Sequence, residues 1–282
     1  MKQVNNAIAV RRYYEVLYRA WGPQHWWPAE TQFEVIVGAY LTQNTAWTNV
    51  ERALANLHQA GLLSVEGIRR VRLSRLERLI RPSGYFRQKA KRLKTFVAFL
   101  DKEYGGSIDR MFSQPTEKLR EELLGLNGVG PETADSILLY AGNHPVFVVD
   151  AYTRRILARH EILRETAEYE EIRELFQSSL PLMAQRQQVK PQAVKPGSVN
   201  GFNGTPKAVS FPKPSQGSVV AASGFRGAAH LPSVMSTARR SATAQIYNEM
   251  HGLLVGVGKH FCGKSQPKCD GCPLQPFLPR AK

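Results

Sequence analysis

The turn that decides the fold reads Leu126-Asn127-Gly128-Val129-Gly130. It lies between two predicted helices, which cover residues 116–125 and 133–140. Two glycines around one apolar residue permit a tight helix-to-helix connection, because glycine adopts backbone conformations that other residues avoid. Such a turn directs backbone N–H groups outward at the start of the next helix, where they can bind a phosphate oxygen. Taken alone, it predicts a helical hairpin with either a structural or a phosphate-binding role.

An acid, Asp150, lies twenty residues after this turn. It directly follows four apolar residues, 146–149, which form the only strand-like run in the sequence. An acid in this position is expected at the edge of a cleft, partly removed from water. A single Asp there is more often the N-cap of the following helix, which is predicted over residues 151–159. These residues alone leave both roles open.

The cysteines of the chain are Cys262, Cys269 and Cys272. Three thiols cannot form a paired disulfide framework. Their C-x6-C-x2-C spacing is typical of a loop that binds a metal or a cluster in a reducing compartment.

Together, these motifs resemble the helix–hairpin–helix DNA glycosylase superfamily, specifically its endonuclease III-like branch. That family has the hairpin L-x-G-V-G-x-x-T-A, which matches residues 126–134, and then V-D-x-x-x-x-R, which matches residues 149–155. Its C-terminal loop, C-x6-C-x2-C-x5-C, is matched here in the first three cysteines. The resemblance covers most of the chain apart from residues 184–240.

The resemblance implies a base-excision enzyme with two helical lobes and DNA across the cleft between them. Gly128, Val129 and Gly130 would hold the DNA backbone, and a damaged base would be flipped into the cleft. Asp150 would be the catalytic carboxylate. Breaking an N-glycosidic bond builds positive charge on the sugar, which a fixed carboxylate in a dry pocket stabilises while it activates water. The implied partner is double-stranded DNA that contains a damaged base.

The sequence departs from the family pattern at Glu132. Members that also cut the DNA strand have a lysine two residues after the second glycine of the hairpin, and its amine forms a Schiff base with the sugar. That position, two residues after Gly130, is Glu132 here. A carboxylate cannot form an imine, so we expect a monofunctional glycosylase.

The segment His25-Trp26-Trp27-Pro28 and residues 132–138 resemble the branch called 3-methyladenine DNA glycosylase III. That branch lines its base pocket with Trp-Trp-Pro and a further aromatic residue, for which Trp47 is the candidate. A 3-methyladenine base is cationic, and each indole face attracts a flat cation by roughly 0.5–2 kcal/mol. The alternative, at even weight, is that Trp26 and Trp27 only pack in the core.

Four further residues are assigned to DNA by the resemblance. Gln43 matches the family glutamine that fills the space left by the flipped base, and Tyr85 falls where the family inserts a wedge into the base stack. Lys89 and Lys91 lie beside Tyr85 and are expected to contact phosphates. Both lysines belong to a run of 11 basic residues and one acid over residues 69–94.

The cysteine loop is incomplete, because the fourth family cysteine falls on Leu278. Four thiolates normally hold a four-iron cluster. Three cysteines can hold a cluster with an exchangeable fourth ligand, can hold zinc together with His260, or can be remnants of a lost site. We expect a 4Fe–4S cluster with three of its four cysteine ligands, because random loss would not leave the other spacings intact.

The 282-residue chain carries 38 Lys and Arg against 23 Asp and Glu, a formal net charge of +15. This balance indicates a polyanionic partner, most simply nucleic acid. Residues 184–240 contribute eight of the basic residues and no acid, and they are rich in Pro, Gly, Ser, Ala and Gln. Such a composition cannot bury enough apolar area to offset its ordering entropy. We therefore predict a disordered basic insertion there.

Outside that segment the hydrophobic periodicity is helical almost throughout and predicts an all-α fold. Residues 31–146 are predicted to form a six-helix lobe with the hairpin. Residues 1–30, 147–183 and 241–282 are predicted to form a second helical lobe with the cysteine loop. No apolar run has the length of a membrane helix or a signal peptide, so we expect a cytoplasmic protein. We also expect a monomer that is associated with the nucleoid.

The leading hypothesis is a monofunctional DNA glycosylase that acts on alkylated purines. Two alternatives stay open: endonuclease III-like removal of oxidised or mismatched pyrimidines, and a non-catalytic DNA-binding module. Asp150 argues against the second, because binding alone has no use for a negative charge beside DNA.

Overall fold

A computed structural model describes residues 2–182 and 232–279 of the chain. Within these two ranges the secondary structure is helical without a β-strand, apart from one isolated bridge between Cys262 and Pro267. The predicted all-α fold is therefore confirmed. Residues 146–149 are a connecting segment and not a strand. None of the described helices combines the length and the apolar character that crossing a bilayer requires.

The described α-helices are α1 (Lys2–Trp21), α2 (Gln32–Leu41), α3 (Trp47–Gln59), α4 (Val65–Arg70), α5 (Leu73–Leu79), α6 (Phe86–Tyr104), α7 (Ile108–Phe112), α8 (Thr116–Leu124), α9 (Pro131–Ser136), α10 (Ala151–Arg159), α11 (Tyr169–Ser179) and α12 (Ala242–His260). Short 3₁₀ turns cover Arg81–Ser83 and Gln275–Phe277, and a π-helical turn over Ile137–Ala141 continues α9.

Helix α2 is the centre of a first group of helices. Its N-cap is Thr31, whose Oγ1 accepts the backbone N–H of Glu34 at 3.1 Å. Eight of its ten residues are buried, and α3, α6 and α9 pack against it. An apolar helix of this kind needs partners on every side, which the surrounding helices supply.

A second group is formed by α1, α10, α11 and α12. Helix α12 packs against α1 and α10, and α1 also packs against α11. The buried π-helical turn touches both α2 and α12, so it joins the two groups. This packing supports the proposed division into two lobes.

The predicted C-terminal boundary of the disordered insertion, residue 240, is wrong, because the structure describes residues 232–240 as packed. Met235 donates its N–H to the carbonyl of Ala29 at 3.0 Å, and the N–H of Ala29 is bonded to the hydroxyl of Ser233 at 3.0 Å. Met235 and Ser236 are buried. Residues 232–240 therefore pack against the segment before α2, a long-range contact that composition does not reveal. Residues 184–231 lie outside the described residues.

Candidate active site

Asp150 is the N-cap of α10, and only one of its carboxylate oxygens makes the cap. Oδ1 accepts the backbone N–H of Thr153 at 2.7 Å and its hydroxyl at 2.8 Å. Oδ2 lies 3.7 Å from Nε2 of His251, and the side chain is 12% exposed. The two roles that the sequence left open are therefore compatible. The helix N-terminus stabilises the carboxylate, and the second oxygen takes no part in the cap.

A buried network holds the segment that precedes Asp150. The hydroxyl of Tyr169 accepts the N–H of Val149 at 3.3 Å and donates to Asp135 at 2.9 Å. Asp135, in the helix that follows the hairpin, also pairs with Arg120 at 2.7 Å. Burial raises the pKa of Asp135, and the hydrogen bond and charge of Arg120 oppose that rise. The hairpin helix and the Asp150 segment are thereby tied together.

The three predicted pocket tryptophans lie in one aromatic cluster. Ring centroids are 4.9 Å apart for Trp27 and Trp47, and 5.8 Å apart for Trp26 and Trp27. Trp27 is buried, whereas Trp26 and Trp47 are partly exposed. Tyr140 completes the cluster, 5.2 Å from Trp27. Trp27 is a core residue, whereas Trp26 and Trp47 are only partly buried against the core.

Two glycines make room for these indole rings. A Cβ at Gly38 would lie 3.2 Å from the ring of Trp27. A Cβ at Gly252 would lie 3.1 Å from Cβ of Trp26. Larger residues at these positions would push the rings out of place.

Lys259, which no sequence motif indicates, lies in the same site. Its Nζ is 5.7 Å from the ring centroid of Trp26. Desolvation by the surrounding protein lowers the pKa of Lys259, and the negative charges of Glu51 and Asp150 oppose that shift. Glu51 also accepts the indole N–H of Trp47 at 2.8 Å.

Glu132 lies close enough to Asp150 for their charges to interact. Its side chain is accessible, yet the surrounding protein desolvates it and raises its pKa to about 7. The charge of Asp150 adds to this rise, and Arg154 opposes it. Glu132 therefore binds a proton more readily than an ordinary glutamate does.

The hairpin has the geometry that its glycines predict. Gly128 has a left-handed φ of +80°, and a Cβ there would lie 2.0 Å from Nε of Arg92. Gly130 is the N-cap of α9, and both glycines are exposed while Val129 is buried between them. The left-handed backbone favours glycine at position 128, and a side chain there would also require the flexible end of Arg92 to move.

Gln43 contacts the hairpin directly. Its side-chain amide donates to the carbonyl of Gly128 at 3.1 Å and to the hydroxyl of Thr133 at 2.9 Å. Arg92 donates to its Oε1 at 2.7 Å. The structure therefore brings Gln43, the hairpin and one cation of the basic run to one place. Arg92 was not singled out from the sequence, because the run offers many equivalent cations.

Tyr85 lies at a loop tip, with 68% of its surface exposed and a left-handed φ of 45°. Lys91 is exposed on the next helix, α6. Lys89 is different, and its predicted phosphate contact is wrong. Its ammonium is buried and donates to the carbonyls of Leu41 at 2.8 Å and Ser83 at 2.7 Å. Burial lowers the pKa of Lys89 to about 8. Through its hydrogen bond to Ser83, Lys89 supports the loop that carries Tyr85.

The three cysteines surround one cavity. Cys262, Cys269, Cys272 and Leu278 all line this space of about 260 Å³. Burial raises the pKa of the Cys272 thiol, and the neighbouring thiols of Cys269 and Cys262 add to the rise. Within the described ranges, no three His, Cys, Asp or Glu side chains converge on a point where a single metal ion could bind. His260 is not among the residues that line this cavity, which argues against a zinc site completed by His260.

Helix α10 connects this loop to Asp150. Arg159, at its end, donates to the sulfur of Cys262 at 3.2 Å and to the carbonyl of Gly263 at 2.7 Å. Arg155 donates to the carbonyl of Cys262 at 2.7 Å. One helix thus begins at Asp150 and ends on the cysteine loop.

The structure brings a helical hairpin, an N-cap carboxylate and an aromatic cluster together, and a family model identifies the class of protein. The model of the HhH-GPD superfamily of base excision DNA repair proteins matches residues 37–182. The chain belongs to this superfamily, and it is a DNA repair glycosylase of that class. The resemblance to the helix–hairpin–helix glycosylases is confirmed.

A curated relative is similar over nearly the whole chain, and two solved structures share its fold. MJ1434 of Methanocaldococcus jannaschii, provisionally named a DNA repair glycosylase, is 49% identical over 274 residues, 97% of each chain. The structure of H. pylori 3-methyladenine DNA glycosylase (MagIII) bound to 1,N6-ethenoadenine has a TM-score of 0.62 at 24% identity, over 90% of this chain and 97% of that one. The structure of a trapped endonuclease III–DNA covalent intermediate has a TM-score of 0.65 at 18% identity, over 96% of this chain and 95% of that one. At these identities the two structures establish a shared fold.

Proposed function

We propose that this chain is a monofunctional DNA glycosylase that excises alkylated purines such as 3-methyladenine from duplex DNA. The observation that carries this proposal is the position of Asp150, whose Oδ2 is free of the helix cap and lies on the side of His251. His251 in turn contacts the ring of Trp26, with centroids 6.5 Å apart. A carboxylate and an aromatic wall are thus parts of one site.

A cationic base fits this combination of groups. Indole faces attract a flat cation by stacking and cation–π contact, and the partly exposed Trp26 and Trp47 would offer such faces. An alkylated purine is already a good leaving group, so the site needs mainly to stabilise positive charge on the sugar. Asp150 would do this and would activate the attacking water. The fold shared with MagIII, whose name includes 3-methyladenine, supports the same substrate class.

The absence of an amine at position 132 supports a monofunctional mechanism. Glu132 occupies the hairpin position from which bifunctional relatives supply the Schiff-base lysine. Water would then be the nucleophile, and the product would be an intact abasic site. Lys259 is the amine to suspect if this part of the proposal fails, because it lies against Trp26.

DNA would lie across the hairpin and the Tyr85 loop. The exposed Gly128 and Gly130 would hold the backbone, with Lys91 and the other exposed cations of the basic run on the phosphates. Tyr85 would enter the base stack, and Gln43 would exchange its hairpin contacts for the space left by the flipped base.

The test is base release from duplexes that each contain one defined lesion. The panel includes 3-methyladenine, ethenoadenine, an oxidised pyrimidine, and uracil or thymine opposite guanine, with undamaged duplex as the control. We expect 3-methyladenine to be released at least about tenfold faster than the pyrimidines, because they lack the cationic charge that the aromatic wall selects. Strand breaks should appear only after alkali.

Each other outcome favours a specific alternative. Fastest release of an oxidised or mismatched pyrimidine would replace our proposal with an endonuclease III-like activity. Strand cleavage without alkali, or a protein–DNA adduct trapped by borohydride, would overturn the monofunctional part. Tight binding to damaged DNA with no base release would indicate a non-catalytic module.

We further propose that the cysteine loop holds an iron–sulfur cluster through Cys262, Cys269 and Cys272. Thiolates around a cavity, not at a common point, suit a cluster cage better than a single ion. Burial raises the pKa of Cys272, and backbone hydrogen bonds at Leu274 and Gln275 oppose that rise. When bound, the cluster would cross-link this loop. Because Leu278 occupies the position of the fourth family cysteine, one iron of the cluster would have no cysteine ligand.

We expect protein purified without oxygen to contain about four iron ions per chain and to lose them in air, because one corner lacks a cysteine. Cys269→Ala should abolish iron binding, and Leu278→Cys should slow the loss in air. His260→Ala, which leaves the cavity lining intact, is the matched control and should behave like the unchanged protein. Metal analysis and the visible absorption spectrum measure both effects. Stoichiometric zinc, or iron that is unaffected by Cys269→Ala, would contradict the assignment.

A further inference from the structure

His251 is a buried histidine on α12 that the sequence analysis did not select. It is 5% exposed, and its ring packs against Tyr140, Phe147 and Trp26 at centroid distances of 5.9, 6.4 and 6.5 Å. It lies within a buried run of α12, residues 246–258. A histidine in such a helix needs hydrogen-bond partners for both ring nitrogens.

Only one ring nitrogen has such a partner in the described part of the chain. Nδ1 is hydrogen bonded to the hydroxyl of Tyr140, whereas Nε2 is buried without a hydrogen bond. The nearest charged oxygen is Oδ2 of Asp150, 3.7 Å from Nε2. Catalytic hydrogen bonds are often this long before substrate binds, and they shorten in the reacting complex.

The charge state of the ring determines what this contact can do. Burial lowers the pKa of His251, and the charge of Asp150 opposes that shift only in part. The ring is therefore neutral at neutral pH and carries one proton. With that proton on Nε2, the ring donates to Asp150 and accepts from the Tyr140 hydroxyl. With the proton on Nδ1, a lone pair would face the carboxylate, which is unfavourable.

We propose that His251 is a positioning residue for Asp150: the neutral ring donates its Nε2 proton to Oδ2, and the Tyr140 hydroxyl fixes that tautomer by donating to Nδ1. The inference rests on the proposed catalytic role of Asp150. Oδ1 is held by the N-terminus of α10 and Oδ2 by His251, so the carboxylate cannot rotate. Each oxygen has a second lone pair, so the donor leaves Oδ2 able to face the sugar.

Two substitutions separate the donor from the shape of the side chain. His251→Gln places an amide N–H close to the position of Nε2, whereas His251→Asn reaches only the position of Nδ1. We expect His251→Asn to lower the single-turnover rate of base release by about 10- to 100-fold, the loss of one hydrogen bond to a charged group. His251→Gln should recover most of that loss. Equal losses in the two variants would overturn the proposal.

The pH–rate profile gives a readout that a structural role would not move. A donor on Oδ2 favours the ionised carboxylate, so its loss lowers the ionised fraction at acidic pH. The acid limb should therefore move to higher pH in His251→Asn, by about one pH unit. Glu132, Lys259 and Tyr140 also interact with the charge of Asp150, and they are unchanged in this variant. An acid limb that does not move would refute the role.

Tyr140→Phe removes only the hydroxyl that fixes the tautomer. We expect a smaller rate loss and an acid limb shifted in the same direction, because part of the His251 population then presents its lone pair to Asp150. Nitrogen NMR of the histidine-labelled protein should show the proton on Nε2 at neutral pH. A proton on Nδ1 would overturn the proposal without any measurement of activity.

Two controls separate the proposed role of His251 from the proposed catalytic role of Asp150. His144 is also buried, but its nitrogens bond to Thr116 and to the carbonyl of Phe112. His144→Asn should lower the melting temperature and leave the acid limb in place. If Asp150→Asn retains excision, the proposed function fails at its catalytic residue. If Asp150→Asn is inactive while His251→Asn keeps its rate and profile, only the role of His251 fails.

Discussion

Asp150→Asn is expected to lower the single-turnover rate of base release by about 1000-fold or more, while binding to damaged DNA stays equal or becomes tighter. The neutral amide cannot stabilise the positive charge that develops on the sugar, and it cannot activate water. Binding improves because one negative charge near the phosphates is removed. Folding should be retained, since Asn is as good an N-cap as Asp and can still accept from Thr153.

Single-turnover release of 3-methyladenine and equilibrium binding to the same duplex measure the two effects separately. Glu161→Gln is the matched control: it removes one negative charge just beyond the end of α10, on an exposed side chain away from Oδ2. It should change binding slightly and leave the rate of release unchanged. Near-normal release by Asp150→Asn, with the control unchanged, would show that another group stabilises the sugar.

The sequence was sufficient for the parts of the site that depend on local spacing. The glycines of the hairpin predict a left-handed backbone conformation in the turn, and Gly128 has one, with a φ of +80°. Asp150 follows an apolar segment and precedes a helix, which determines its place as an N-cap. The absence of a Schiff-base amine at Glu132 was also visible, because it depends on one position.

The residues that the sequence missed act through long-range contacts. His251 reaches Asp150 from 101 positions along the chain, and nothing in its own helix marks it except that it is polar among apolar neighbours. Lys89 shows the opposite error, because a lysine in a basic run was assigned to phosphates. Burial and two carbonyl acceptors give it an internal role. The pKa of about 7 for Glu132 depends on enclosure by residues that no spacing identifies.

Asp135→Ala is expected to lower the free energy of unfolding by about 3–5 kcal/mol, the largest stability effect that we predict. The carboxylate of Asp135 is fully buried, and its partner Arg120 is only 15% exposed. Removing the carboxylate leaves Arg120 without its buried partner and with only Glu170, which is 52% exposed, to balance its charge. It also leaves the hydroxyl of Tyr169 without its acceptor, which loosens the hold on Val149 next to Asp150.

Denaturant unfolding measures this loss, and two variants test its cause. Glu170→Gln removes the more exposed partner of Arg120, whose side chain is 52% exposed, so it should cost less than about 1 kcal/mol. Arg120→Met combined with Asp135→Leu replaces the pair by apolar side chains and should recover much of the stability, because no charge is then left unpaired. If the double variant were as unstable as Asp135→Ala, lost packing and not the uncompensated arginine would explain the effect. If the double variant is stable, its rate of base release measures how much the hydrogen bond between Tyr169 and Val149 helps to hold Asp150 in place.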